Sequence, residues 1–380
     1  MPARIDVSES VLDDLRSRLR ATRWPDELSD ARGVWGPRLD RMRSLCDYWA
    51  EGYDWRRTEA RLNVWPQFET KIDGQKIHFF WIRSSHSGAI PLLLTHGWPG
   101  SFAEFIDIID PLVEPGQHGA RGQPAFDLVI PSLPGYGFSG PTVKSGWDLW
   151  RVASAWRELM RRLGYARYAA QGGDFGSMVS ARLALLAPDE MIGLHLNMAL
   201  VPPRQGPLSS QEQVDLADVK DFVKFGSAYQ VIHGRSPQTA GYALTDSPAG
   251  LAAWIVDKFD RWTDTPGDAL QAVSRDRLLD NITVYWVTGT INSSMRLYAE
   301  AMKRGDLGAT RDKVMVPTGL AVFPREMFRY PRVWVEQAFN LVHHTHMPRG
   351  GHFAAMEAPE ALVADVRVFF GDITRQGDAA

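Results

Sequence analysis

Short apolar runs that each end in a glycine-rich loop dominate the chain from Ile90 onward. Three of them are IPLLLTHGWPG, FDLVIPSLPGYGFSG and ARYAAQGGDFGS, with helical stretches between them. This alternation is typical of parallel strands joined by crossover helices. Further strands are predicted near IGLHLNM, VPTGLAVFP and LVHHTHMPRGGHF. We therefore predict an α/β fold, with a mostly parallel sheet flanked by helices.

The first part of the chain has a different pattern and predicts an N-terminal arm over residues 1–85. Apolar side chains recur at helical spacing over residues 10–22, which indicates a surface amphipathic helix. A second helix is predicted over residues 37–53. Asp73 and Gly74 then lie between two short β-prone runs, which is typical of a hairpin with a tight turn.

The strand pattern is interrupted once, and the interruption suggests how the remaining chain is divided. Residues 204–306 are mostly helical in pattern, so we interpret them as a lid inserted into the core. The core itself is predicted in two parts, residues 86–203 and residues 307–380. No internal repeat, low-complexity tract or charge block marks a linker.

Composition excludes some classes of function. The chain has 380 residues, 44% of them hydrophobic and 23% charged, and a formal net charge of -3. These values are ordinary for a soluble enzyme, and a protein that tracks nucleic-acid phosphates would carry a basic excess. We therefore expect no nucleic-acid partner. A homo-oligomer is left open.

Cysteine content and the N-terminus bear on the compartment. Cys46 is the sole cysteine, so the chain can form no disulfide within itself, as expected in a reducing compartment. The N-terminal 25 residues carry charge throughout. A signal core, or the roughly 20 apolar residues of a membrane span, is absent from the sequence. We expect a cytoplasmic protein without a membrane anchor.

The strongest chemical motif is GGDFG at residues 172–176, between a predicted strand and a predicted helix. It has the form of a nucleophile elbow, in which small residues at Gly172 and Gly176 permit a sharp turn that exposes the central side chain. The central residue here is Asp174, which is therefore the predicted nucleophile. An alternative is that Asp174 caps the helix, because aspartate favours N-caps.

The candidate base is His352, in the RGGHF loop that follows the last predicted strand. A histidine there can reach back over the sheet, and the order nucleophile, acid, histidine is the one this fold uses. Three other histidines, His343, His344 and His346, lie close together and could suggest a metal. Strand alternation would place them on two faces, so we favour no metal site.

The candidate acid is Glu326, which follows VPTGLAVFP at the carboxyl end of a predicted strand. Functional groups collect at that end of open α/β sheets. Glu326 would orient His352. From spacing alone, Glu300 and Asp312 remain alternatives, and Glu326 could equally be a solvated loop carboxylate.

The HGWPG loop closes the first core strand and predicts part of the site. Its Trp98 backbone N–H, paired with that of Phe175, would form an oxyanion hole for a tetrahedral intermediate on Asp174. His96, Trp98, Pro99 and Phe175 would line the substrate pocket. His96 could equally be a packed loop histidine.

Together, HGWPG, LPGYGFS, GGDFGS and GGHF resemble the epoxide hydrolase branch of the α/β-hydrolases. The tracts TRWP and WPQFETKIDGQKIHFFWIRS are similar to the N-terminal domain of the microsomal and juvenile-hormone type. In that family the acid occupies the position of Glu326 in FPREMF, and the histidine that of His352 in RGGHFAAMEAPE. The resemblance covers nearly the whole chain and supports both assignments.

The resemblance also implies two lid tyrosines that hydrogen-bond the epoxide oxygen, at Tyr229 in AYQVIHG and Tyr298 in NSSMRLYAEAM. Tyr242 and Tyr285 could be ordinary core or rim residues. The chain departs from the family pattern at Phe175, where many relatives have tryptophan. We also expect no N-terminal membrane anchor like that of microsomal relatives, so the resemblance does not imply membrane residence.

The predicted function is hydrolysis of an apolar or aromatic epoxide to a vicinal diol, in detoxification or secondary metabolism. Asp174 would form a covalent ester with help from Tyr229 and Tyr298. Water would then cleave the ester with His352 as general base and Glu326 orienting it. The strained epoxide ring needs no cofactor or metal. The alternatives are a haloalkane or haloacid dehalogenase and a catalytically silent protein that binds a hydrophobic ligand.

Overall fold

The computed structural model describes residues 1–202 and 206–378 of the chain. The N-terminal elements are β1 (Pro2–Ala3), α1 (Glu9–Arg20), α2 (Leu39–Glu51), α3 (Trp55–Leu62), β2 (Gln67–Ile72) and β3 (Gln75–Ile82). The two helices predicted in this part are confirmed, with ends that differ by two residues or fewer. The short helix α3 was not predicted, because its sequence WRRTEARL is mostly polar.

The core elements follow in alternation. They are β4 (Ile90–Thr95), α4 (Ile106–Val113), β5 (Phe126–Pro131), α5 (Leu149–Arg162), β6 (Tyr168–Gly172), α6 (Phe175–Leu186) and β7 (Met191–Leu196). After a long stretch of helices, the core resumes with β8 (Val314–Val322), α14 (Arg332–Ala338), β9 (Phe339–His346), α15 (Ala354–Glu357) and α16 (Pro359–Asp378). Each strand predicted from an apolar run is confirmed.

In the described part of the chain the strands form one nine-stranded sheet, ordered β1-β2-β3-β5-β4-β6-β7-β8-β9. The six strands from β5 to β9 in this order run parallel. The first three are antiparallel, and β3 joins them to β5. The hairpin prediction is confirmed, since Asp73 and Gly74 both adopt positive φ between β2 and β3. The mostly parallel α/β-hydrolase sheet is therefore confirmed.

The strand order determines where a site can form. Strand β4 lies between β5 and β6, so the chain passes from β4 to β5 on one side and then returns past β4 to β6 on the other. Open α/β sheets bind ligands outside the carboxyl ends of the strands at such a switch point. The central strands are buried on both faces, and Leu92, Leu93 and Leu94 have no exposed surface. A rigid core therefore supports the loops that follow β4 and β6.

Every element that the structure describes between β7 and β8 is helical. We call these elements the helical segment: α7 (Ser210–Asp215), α8 (Ala217–Asp221), α9 (Ala228–Arg235), α10 (Pro237–Asp246), α11 (Pro248–Trp262), α12 (Arg275–Thr288) and α13 (Ile291–Arg304). The boundary expected between residues 203 and 204 lies outside the described residues, and the domain limits stay predictions. Among the described helices, none combines the length and apolar character required to cross a bilayer.

A buried carboxylate, that of Asp280, joins the N-terminal arm to the helical segment. Asp280 lies on α12 with only 1% of its surface exposed. It accepts hydrogen bonds from Tyr53 and Thr58 of the arm and from the guanidinium groups of Arg61 and Arg277. The carboxylate accepts from donors of both the N-terminal arm and the helical segment. Its loss would leave these hydroxyl and guanidinium groups without their charged partner.

We expect Asp280→Ala to lower the free energy of unfolding by about 3 kcal/mol, because breaking a buried ion pair leaves an uncompensated charge. The matched control is Asp246→Ala, which removes an exposed ion pair between the same two parts, with Arg18 of α1. Exposed pairs contribute about 1 kcal/mol or less. Urea unfolding measures both variants. Equal losses would contradict the role given to Asp280.

Candidate active site

Asp174 stands on a sharp turn between β6 and α6. Its backbone has φ of 49°, a left-handed conformation that costs a residue with a side chain about 1–3 kcal/mol and is concentrated at functional sites. Asp174 precedes the first residue of α6, but its carboxylate makes no capping hydrogen bond to that helix. The helix-cap alternative is therefore wrong, and the side chain points away from the helix that follows it.

Two glycines permit this turn by close approach of the backbone. A Cβ on Gly172 would lie 2.4 Å from the backbone carbon of Gly176. A Cβ on Gly176 would lie 1.8 Å from the carbonyl oxygen of Thr95 at the end of β4. Neither position can hold a larger residue without moving backbone, which is the reason that the elbow motif requires both.

The carboxylate of Asp174 faces the HGWPG loop. Its Oδ1 accepts a hydrogen bond from the Trp98 backbone N–H at 2.8 Å. Its Oδ2 lies 3.5 Å from Nε2 of His352. Phe175, the other expected N–H donor, begins α6 directly after Asp174. The structure thus brings one predicted donor to the nucleophile, while the part of Phe175 in an oxyanion hole stays a prediction.

His352 and Glu326 form a buried pair beside Asp174. The Nδ1 of His352 donates to Oε2 of Glu326 at 2.8 Å, and the two residues are 6% and 2% exposed. The other carboxylate oxygen of Glu326 accepts from the Phe328 N–H at 3.1 Å. The carboxylate is therefore fixed on both sides, and it holds the imidazole with Nε2 directed at Asp174.

The charges around His352 raise the pKa of its imidazole well above the ordinary value. Burial lowers this pKa, but the carboxylate of Glu326 and the hydrogen-bonded carboxylate of Asp174 raise it by more. The two carboxylates therefore favour the charged form of the imidazole. The alternative acids lie elsewhere: Glu300 accepts from the Gly146 N–H, and Asp312 is exposed on the loop before β8.

The loop that carries His352 is fastened to the end of α11 in the helical segment. The His352 N–H donates to the carbonyl oxygen of Trp262 at 2.9 Å, and the Asp264 carboxylate accepts from the Gly350 N–H at 2.8 Å. Glu357 completes the contact, because its carboxylate accepts from the N–H groups of Asp264 and Phe353. We call these contacts the His352 clasp.

The two expected tyrosines contact each other and the aromatic residues Trp98 and Phe175. Tyr229 lies on α9 and Tyr298 on α13, with ring centroids 5.8 Å apart. The indole of Trp98 stacks on Tyr229 at 5.0 Å, and the ring of Phe175 meets the edge of Tyr298 at 4.6 Å. The pKa of each phenol is raised, chiefly by burial, and the carboxylate of Asp174 also contributes. Both hydroxyls therefore keep their protons and can donate.

The two alternative tyrosines are placed differently. Tyr242 is 74% exposed on the surface of α10. Tyr285 is buried on α12 and donates its hydroxyl to the carbonyl oxygen of Gly100 at 2.7 Å. Tyr285 thus supports the HGWPG loop.

Of the expected pocket residues, His96 and Pro99 make contacts that hold loops together. The Nε2 of His96 accepts from the Leu133 N–H at 3.1 Å, which joins the loops that follow β4 and β5. Burial lowers the pKa of His96 to about 4, so its ring is neutral. The carbonyl oxygen of Pro99 accepts from the Asn281 amide at 2.8 Å. Their contact with a substrate stays a prediction.

The clustered histidines near the C-terminus are divided between two faces of β9, as alternation predicts. Nε2 of His343 lies 2.9 Å from Oδ1 of Asp365. Nε2 of the buried His195 lies 3.0 Å from Oδ2 of the same carboxylate. The rings of His344 and His346 instead contact each other, with centroids 5.0 Å apart. The three side chains therefore do not converge on one point.

Two spaces border the catalytic groups. A small cavity of about 20 Å³ is lined by Asp174, His352 and Glu104 among others. A groove of about 680 Å³ is lined by Glu326 and Trp262 and by many charged side chains. The Trp262 ring packs against His352, with centroids 5.1 Å apart. It therefore stands between the groove and the base.

Sequence reasoning missed three ionisable residues near the site. Glu104 borders the small cavity, Glu357 belongs to the His352 clasp, and the Lys258 ammonium lies 4.8 Å from the Tyr229 ring centroid. The one local signal was the Ser101-x-x-Glu104 spacing, which predicts a helix cap. It gives no indication of the catalytic groups nearby.

Comparison with known proteins identifies the family of the chain. A family model described as "Epoxide hydrolase N terminus" matches residues 1–105, and one described as "alpha/beta hydrolase fold" matches residues 90–359. A putative epoxide hydrolase of Stigmatella aurantiaca is 46% identical over 373 residues, which cover 97% of this chain and 84% of the relative. Epoxide hydrolase 1 of Sus scrofa is 38% identical over 405 residues, covering 99% and 89%.

Solved structures lead to the same family. Juvenile hormone epoxide hydrolase from the silkworm Bombyx mori has a TM-score of 0.89 and 33% identity, covering 99% of this chain and 95% of that one. The Aspergillus niger epoxide hydrolase has a TM-score of 0.86 and 33% identity, covering 98% and 96%. These matches confirm the resemblance that the HGWPG, GGDFGS and GGHF motifs indicated. The chain therefore belongs to the epoxide hydrolase family of α/β-hydrolase enzymes.

Proposed function

We propose that this protein hydrolyses apolar or aromatic epoxides to vicinal diols through a covalent ester on Asp174. The observation that carries the proposal is the position of the Asp174 carboxylate, on a strained turn between a backbone N–H donor and the imidazole of His352. Relatives named as epoxide hydrolases support the reaction class.

In the first step, a carboxylate oxygen of Asp174 attacks one ring carbon of the epoxide. The new carbon–oxygen bond forms as the ring bond to the epoxide oxygen breaks, and the negative charge moves to that oxygen. Tyr229 and Tyr298 are suited to receive it, because their hydroxyls are buried and protonated at this site. One phenol donates its proton to the alkoxide and the other stabilises it by a hydrogen bond.

In the second step, water attacks the Cγ of Asp174 in the ester. His352, charged at rest, first passes its proton to the phenolate that the first step leaves. The neutral imidazole then takes a proton from the attacking water through Nε2, and Glu326 holds the imidazolium that forms. The Trp98 N–H, which already donates to Oδ1 of Asp174, stabilises the oxyanion of the tetrahedral intermediate. Collapse of that intermediate breaks the ester bond, and its hydroxyl proton passes to the departing alkoxide. The diol is released and the Asp174 carboxylate is restored.

The substrate preference follows from the side chains around the nucleophile. The rings of Trp98, Tyr229, Tyr298 and Phe175 pack together next to Asp174. Such aromatic walls favour apolar or aromatic groups. Because both tyrosines come from α9 and α13, we propose that the helical segment is a lid that completes the site.

The proposed role of the tyrosine pair also argues against the alternatives. A dehalogenase must hold a departing halide, whereas two phenolic donors suit an alkoxide oxygen. A silent ligand-binding protein has no use for a nucleophile, base and acid aligned by hydrogen bonds. The halide reaction and simple binding nevertheless remain outcomes that an assay can distinguish.

We expect Asp174→Ala to abolish diol formation from styrene-oxide-type and aliphatic epoxides, because no other group can form the ester. Chromatographic detection of the diol measures the loss, with thermal melting as a check that the variant is folded. Halide release from chloroalkanes is measured in parallel with the unchanged protein. Halide without diol, or diol formation that survives the substitution, would contradict the proposal.

We expect Tyr229→Phe and Tyr298→Phe each to slow ester formation by about 10²-fold, as for loss of one hydrogen bond to a developing oxyanion. Stopped-flow tryptophan fluorescence during a single turnover measures this step. Tyr242→Phe is the matched control, because Tyr242 is an exposed tyrosine of the same helical segment, and it should leave the rate unchanged. Equal rates in all four proteins would refute a role for the two phenols.

We expect Glu326→Gln to slow ester hydrolysis by about 10³- to 10⁴-fold, the size of effect seen when the carboxylate of a triad is neutralised. The pKa of His352 falls without that carboxylate, and the ring loses its fixed orientation. The ester should accumulate and be visible as a protein mass increased by the epoxide. Glu300→Gln, the alternative acid, should turn over like the unchanged protein. The reverse pattern would assign the acid to Glu300.

A further inference from the structure

Glu104 is a carboxyl group next to the catalytic centre to which the proposed mechanism gives no role. It lies in the turn of 3-10 helix Phe102–Phe105 that follows the HGWPG loop. A Cβ built on Gly100 would lie 1.2 Å from Oε1 of Glu104, so the carboxyl fills the space beside that loop. Its neighbours Ala103 and Phe105 are buried, whereas Glu104 keeps part of its surface accessible.

Glu104 borders the small cavity next to the catalytic groups. The cavity has a volume of about 20 Å³ and is lined by Glu104, Asp174, His352 and Asn197 among others. A space of about 10–15 Å³ on this measure holds one water molecule, provided that two or more polar groups surround it. This cavity meets both conditions, and its walls include the proposed nucleophile and the proposed base.

We propose that Glu104 positions the hydrolytic water in this cavity. One O–H of the water donates to the carbonyl oxygen of the Glu104 carboxyl and the other donates to Nε2 of His352, which leaves a lone pair of the water oxygen directed at Cγ of Asp174. His352 takes the proton, the new bond to Cγ forms, and Glu104 keeps its own proton throughout. This inference rests on the proposed ester mechanism and adds a residue to its second step.

The protonation state of Glu104 suits this task. Burial raises its pKa to about 8, the carboxylate of Asp174 raises it too, and His352 lowers it. At neutral pH the group is therefore mostly an uncharged acid, whose carbonyl oxygen accepts a hydrogen bond but is too weak a base to compete with His352 for the proton. An uncharged group also avoids a third negative charge beside Asp174.

Glu104 also stands in a position that could serve the backbone alone. Ser101 caps the turn, since its Oγ accepts from the Ala103 N–H at 3.2 Å, and the Ser101 N–H lowers the pKa of Glu104 as in a capping box. A purely capping Glu104 would affect stability and both chemical steps together. A water-holding Glu104 would affect ester hydrolysis selectively.

The test compares Glu104→Ala and Glu104→Gln in single-turnover reactions with styrene oxide. In Glu104→Ala we expect ester hydrolysis to slow by about 10²-fold, the cost of misplacing a reactant, while ester formation changes little. Ester should accumulate in the mass spectrum. Glu104→Gln retains a carbonyl acceptor of the same reach and should recover most of the rate. Failure of glutamine to recover it, or hydrolysis at the unchanged rate in alanine, would overturn the proposal.

Ser101→Ala is the matched control for capping. It removes the cap hydroxyl and should lower the urea midpoint without slowing ester hydrolysis selectively. If Glu104→Ala behaved like Ser101→Ala, with equal loss in both steps and in stability, Glu104 would be only a cap. If the unchanged protein formed no ester at all, the proposed ester mechanism itself would fail, and this outcome is distinct from an ester that forms and breaks normally in Glu104→Ala.

Discussion

The site depends on keeping one buried imidazole paired with two carboxylates. Removing one partner of a buried charged group costs about 3–5 kcal/mol, so Asp174, Glu326 and His352 must be positioned together or not at all. They come from the loops after β6, β8 and β9, far apart in sequence. Because these strands run parallel, their carboxyl ends lie at the same edge of the sheet. The strand order is therefore a condition for the charges to meet.

The helical segment supplies a second condition. Through the His352 clasp, the Trp262 carbonyl and the backbone of Asp264 hold the loop that carries the base. The same segment carries Tyr229 and Tyr298 on separate helices. A displacement of this segment would therefore disturb the histidine and the phenols together. The link from Asp280 to the N-terminal arm also holds this segment, which gives the arm a structural connection to the site.

Much of this arrangement could be predicted from sequence where a short motif has a physical requirement of its own. The elbow around Asp174 is an example, since backbone crowding demands its two glycines, and the tight hairpin turn at Asp73 is another. Glu104 and Glu357 could not be found in this way. Their surroundings come from distant segments: the Glu357 carboxylate accepts from an N–H at residue 264, 93 positions away. Local spacing predicted only a cap for Glu104.

Under the proposed mechanism, the same charges that hold the resting site together also order its two steps. While Asp174 is a carboxylate, it helps to raise the pKa of His352, so the imidazole stays protonated and unable to act as a base. Ester formation removes that negative charge. The pKa of His352 then falls, because Glu326 alone remains to raise it. The imidazolium can pass its proton to the phenolate that ester formation leaves, and the neutral imidazole can then accept a proton from water. Formation of the ester thus makes His352 able to act as the base in hydrolysis of that same ester.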